Sequence, residues 1–102
     1  MLTVNGLSEA QAALRSGAVA LQSPAYAACH AGVGYYVALL DALKTEFPGT
    51  PYQFVVCCGD DASITHEALR RGIADVRCAV PEAMARKLQA LADGLGARFH
   101  QA

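Results

Sequence analysis

The sequence predicts an α/β domain built on a mostly parallel sheet. Three observations carry that expectation. Short apolar runs, bounded by Gly, Pro and Asn turn signals, alternate with longer segments of helical periodicity. The apolar runs do not alternate apolar with polar residues, as strands covered on only one face would. All of this lies within 102 residues, room for one domain spanning 1–102. The expected order is β-α-β-α-β-α-β-α-β, with four to five strands joined by right-handed crossovers.

Leu2 to Val4 is a short apolar run closed by Asn5-Gly6, and reads as a first short strand. Ser8-Glu9-Ala10-Gln11 has the spacing of a capping box, with Ser8 as N-cap and Gln11 reaching back. That helix runs to about Ser16, and Gly17 takes the position that ends it. Ala10, Ala13 and Leu14 share one of its faces. Ala18-Val19-Ala20-Leu21 reads as a strand buried on both faces, and Val19–Leu21 belongs with Phe54–Cys57 among the central strands. Ser23-Pro24 follows: an N-cap residue, then a proline suited to the first helical position.

From Ala25 to Phe47 the pattern is helical. Cys29, Val33, Tyr36, Leu40, Leu43 and Phe47 fall at alternating steps of four and three and form one stripe. Gly32 and Gly34 each cost about 1 kcal/mol relative to Ala inside a helix. Either one long helix starts at Pro24, or a loop carrying Cys29-His30 precedes a helix starting near Gly32. The stripe crosses the glycines without a change of phase, which favours the long helix. Pro48-Gly49-Thr50-Pro51 closes it.

Tyr52 to Cys58 is the clearest strand, followed by Gly59-Asp60-Asp61. A helix from about Ser63 to Arg71 is stopped by Gly72, and Asp75 to Val80 reads as the next strand. Pro81-Glu82 opens a helix with Met84, Leu88, Leu91 and Leu95 on one face and Gly96 at its end. Ala97 to His100 reads as an edge strand. Ala13-Leu14-Arg15-Ser16-Gly17 before one strand echoes Ala68-Leu69-Arg70-Arg71-Gly72 before another. Shared α/β grammar explains this more economically than duplication.

Composition narrows the function. Apolar residues make up 54% and charged residues 17%, and the net charge is -1. That balance removes the electrostatic case for nucleic acid or an anionic membrane. No apolar run is long enough for a membrane span, and the segment MLTVNGLSEA lacks a basic stretch ahead of an apolar core. No membrane partner is therefore expected, and the cytoplasm is the expected compartment. Cys29, Cys57, Cys58 and Cys78 lie in apolar, periodic segments and read as reduced thiols, with Cys58 the best placed to be accessible. The low charge and the lateral Tyr35 point to a homo-oligomer.

Parallel strands place their carboxyl-end loops along one edge, where open α/β sheets bind ligands. The expected ligand-binding residues are Ser23, Tyr26, Cys58, Gly59, Asp60 and Asp61. One aspartate should cap the next helix and the other contact the ligand. Cys58 precedes a helix N-terminus, which favours a thiolate, but the two aspartates oppose it. His30 and His66 lack the close Cys/His spacing of a metal module, so no metal or cofactor is expected. There is no GxGxxG, GxxxxGK[ST] or GxSxG segment. Arg77 stands out as a charge within an apolar strand, marking an exposed edge or pairing with Asp75 or with an acid of another subunit. With no complete catalytic signature, the leading expectation is a non-catalytic small-molecule-binding or regulatory module. The alternatives are a small enzyme using Asp60 or Asp61 as base with Cys58 or His66, and a self-assembling interaction protein.

Overall fold

The computed structural model describes residues 1–102. The elements run β1 (Leu2–Thr3), α1 (Leu7–Arg15), β2 (Ala20–Gln22), α2 (Ala27–Ala31), α3 (Val33–Glu46), β3 (Gln53–Cys57), α4 (Ala62–Arg70), β4 (Asp75–Cys78), α5 (Glu82–Leu95) and β5 (Arg98–Gln101). The five strands lie side by side in chain order, and every neighbouring pair is parallel. The α/β architecture and the parallel sheet are as the sequence predicts.

The strand order has a consequence that the sequence did not reveal. When each parallel strand is laid beside the one before it, always in the same direction, right-handed crossovers put every helix on the same side. The helices obey this: α1 packs on α3, α3 on α4, and α4 on α5, in one layer. Leu21, Phe54, Val56, Val76, Cys78 and Phe99 face that layer and belong to one core with Leu14, Tyr36, Leu43, Leu69 and Leu88. The opposite face of the sheet carries no helix. The strand residues with the other parity line it: Thr3, Gln22, Gln53, Asp75, Arg77, Arg98 and His100, with Val55 and Cys57 between them.

Three expectations are corrected here. The segment from Ala25 to Phe47 is not one helix. Gly32 adopts φ 91°, a left-handed conformation that suits glycine, and it separates α2 from α3. Of the stripe, Val33, Tyr36 and Leu43 are buried in α3, Leu40 and Phe47 are only partly so, and Cys29 in α2 is exposed, while Leu39, off the predicted stripe, is buried. Ser8 is not a cap either. The first helix starts at Leu7 after Gly6, with no side-chain cap, and Glu9 reaches back instead, its Oε1 accepting from the Asn5 backbone N–H at 3.0 Å. Finally, Val19 lies outside β2, which begins at Ala20, and is 59% exposed.

The helix–glycine–strand echo has a concrete basis. Ala18 donates to the Ala13 carbonyl and Gly17 to that of Leu14, the bond pair of a Schellman ending. Ile73 and Gly72 repeat it on Ala68 and Leu69. Ala97 and Gly96 repeat it a third time, on Ala92 and Asp93. The same helix ending thus feeds β2, β4 and β5, a local grammar of helix-to-strand turns.

Candidate functional site

The six residues expected at the carboxyl edge divide into three groups. Ser23 and Cys58 are fully buried and line none of the surface hollows. Ser23 extends the β2–β3 pairing: its amide donates to the Val55 carbonyl at 3.0 Å, and its hydroxyl accepts from the Cys57 amide at 2.8 Å. It does not cap α2, whose first turn has no side-chain cap. Burial pushes the Cys58 thiol up to about 12, with the Thr65 hydroxyl pulling the other way, so Cys58 stays protonated and is no nucleophile. The accessible thiol is instead Cys29, which donates to the Cys58 carbonyl at 3.3 Å. Burial raises the Cys29 pKa, and Asp61 and Asp60 add to the rise.

The aspartates separate as capping chemistry requires. Asp61 is the N-cap of α4: its Oδ1 accepts from the Ile64 amide at 3.0 Å, and its carbonyl takes the Thr65 hydroxyl at 2.9 Å. Asp60 is exposed and makes no side-chain hydrogen bond within the chain. His66 lies away from both, in a groove of about 340 Å³ between α4 and α5 shared with Met84 and Lys87.

Tyr26 and Gly59 do meet. Tyr26 has φ 61°, the only non-glycine residue of the chain in the left-handed region. Its ring lies so close to Gly59 that a Cβ there would sit 2.3 Å from the ring's Cδ1. Gly59 itself has φ 63°, so both partners of the contact use left-handed backbone. Beneath this pair, on the helix-free side of the sheet, is a hollow of about 280 Å³ lined by Gln22, Ala25, Tyr26, Cys57, Gly59, Arg77, Ala79 and Ala102. Arg77 enters it from β4. It is half-buried and its NH1 donates to the Gln22 side-chain oxygen, while the Gln22 Nε2 donates to Thr3 Oγ1 at 3.0 Å.

A second polar group occupies the other end of the same face. The Asp75 side chain is only 3% exposed. Its Oδ1 takes Arg98 Nε at 2.8 Å, His100 Nε2 at 3.0 Å and Gln53 Nε2 at 3.1 Å, and its Oδ2 takes Arg98 NH2 at 3.0 Å. Burial alone would raise this carboxyl, but the bonds from His100, Gln53 and Arg98 outweigh it and hold the pKa below the usual carboxylate value. Arg77 is not its partner: the acid of β4 pairs with β5, and Arg77 turns to β2.

The sequence reading names Tyr26 and Gly59 of this hollow and its edge of the sheet, but not the face on which it opens. The hollow lies at the carboxyl ends of the strands, with Ala25, Tyr26, Gly59 and Ala79 of the carboxyl-edge loops in its wall, and it reaches the helix-free face through Gln22, Cys57 and Arg77. The signal for that face was present: Asp75 and Arg77 in one strand, and Arg98 and His100 in another, are polar residues two apart, the spacing of a sheet face turned to water.

Fold and face together define a singly wound parallel α/β domain with a polar, helix-free sheet face. The chain matches no known family model, no curated protein and no solved structure. No helix is long and apolar enough to cross a membrane.

Proposed function

We propose that this protein is a non-catalytic small-molecule-binding module, and that its site is the hollow under Tyr26 on the helix-free face of the sheet. The observation that carries this reading is the strained contact of Tyr26 with Gly59. A non-glycine residue in the left-handed region costs of order 1–3 kcal/mol and persists where its surroundings over-determine it, most often at ligand sites. Here the strain holds an aromatic ring, 46% exposed at residue level, over a cavity floored by small side chains. An exposed ring held over a small hollow is an unfinished stacking surface.

A thermal-shift screen of small carboxylic acids, neutral aromatics and nucleosides tests the reading, with Tyr26→Gly as control. Glycine accepts φ 61° without strain, so this variant is expected to keep its melting temperature within a few degrees. A true ligand at ~100 Kd adds about 2.7 kcal/mol to the wild type, and Tyr26→Gly removes that gain. Ligands that stabilise both proteins equally bind elsewhere and sink the assignment.

A further inference from the structure

Arg77 is the only Lys or Arg of the chain that is not exposed. Arg15, Arg71, Arg86 and Arg98 each have a carboxylate partner, in Glu46, Glu67, Glu82 and Asp75. Arg77 has none. Its one bond goes to the neutral side-chain oxygen of Gln22, whose own orientation is fixed by the bond to Thr3. The nearest acid on its strand, Asp75, has given its oxygens to Arg98, His100 and Gln53. No acidic side chain lines the hollow into which Arg77 projects, and Arg77 makes no ion pair with Ala102, the last residue of the sequence, which also lines it.

A partly desolvated guanidinium without a counter-ion is costly, and its planar fork matches the oxygens of a carboxylate or a phosphate. Only one NH of the fork is engaged within the chain, so the remaining donors are free for a ligand. At about 280 Å³ the hollow is just below the range of drug-sized pockets and suits a ligand of one ring or less.

We infer that the hollow takes a compact organic acid, with its anionic group on the Arg77 guanidinium and its body against the Tyr26 ring. This rests on the binding reading above and adds the chemical class of the ligand.

The test titrates benzoate, phenyl phosphate and benzamide into the wild type, Arg77→Met and Arg77→Lys, by calorimetry and by amide chemical shifts of residues around the hollow. Benzoate or phenyl phosphate, whichever is the tighter, is expected to bind the wild type and to weaken about tenfold or more in Arg77→Met. Arg77→Lys should retain part of the affinity, and added salt should weaken binding to the wild type. Which of the two anions wins tells a carboxylate ligand from a phosphorylated one. If benzamide binds the wild type as well as the anions do, and Arg77→Met changes nothing, the inference falls while the binding reading stands. If none of the three binds the wild type, the inference also falls, and the Tyr26→Gly screen decides the binding reading separately. Should Arg77→Met fail to fold, the preference for benzoate over benzamide and its salt dependence in the wild type decide the matter.

Discussion

Two charged side chains, two residues apart in β4 and on the same face of the sheet, live in opposite circumstances. Asp75 is almost fully buried, and donors from β3 and β5 saturate its carboxylate. Arg77 is half-buried and has a single neutral acceptor from β2. The first is a closed structural network and the second an open one. A charge whose capacity is filled from within the chain holds strands together, and a charge left unfilled beside a cavity is available to something else.

The largest expected effect comes from breaking the closed network. Asp75→Ala leaves Gln53, Arg98 and His100 without their common acceptor, and removing one partner of a buried ionic cluster costs about 3–5 kcal/mol. Arg98 is largely exposed, which places the expectation at the low end, about 3 kcal/mol, measured by urea denaturation. Replacing Arg77 with Met should cost far less, since it strands no buried charge. Equal losses for the two variants would break the comparison. The same cluster sets a pH dependence. The folded pKa of Asp75 lies below the unfolded value, so its contribution is complete above the usual carboxylate range and is lost as pH falls through the folded pKa. Asp75→Asn should flatten that part of the acid unfolding curve.

A middle-sized effect is expected at the open site. Gly59→Ala puts a Cβ on left-handed backbone and 2.3 Å from the Tyr26 ring, so it should destabilise by about 2 kcal/mol and displace the ring. Tyr26→Gly combined with Gly59→Ala removes the clash but not the backbone strain. The pair should therefore be less destabilised than the sum of the single changes in a double-mutant cycle. Strict additivity would mean that the ring and the glycine are not in contact.

The smallest effect sharpens the division of labour between the adjacent acids. Asp61→Ala removes the cap of α4 and should cost about 1 kcal/mol, while Asp60→Ala, with no intramolecular bond to lose, should change stability by less than about 0.5 kcal/mol. Neither should alter binding of the anionic probes, because neither residue lines the hollow. Loss of binding in Asp60→Ala would place the ligand against Asp60 rather than in the hollow.

Much of this was legible in the amino-acid order. Alternating strand and helix segments, the Asp61 cap in a pair of candidate aspartates, and Gly17, Gly72 and Gly96 at helix ends all follow from local chemistry. Hydrophobic period, capping and turn preference act within a few residues, and they suffice for elements and for the parallel class. Strand order was not legible, because it is fixed by which strands pair across tens of residues. That order decided the rest. A sheet laid down β1 to β5 in sequence puts its helices on one side. It buries Ser23 and Cys58 under them, frees Cys29, and leaves Asp75 and Arg77 on an open face, one with its partners and the other without. Whether a charge in a strand is satisfied depends on the neighbours that pairing supplies, and only the tertiary structure supplies them.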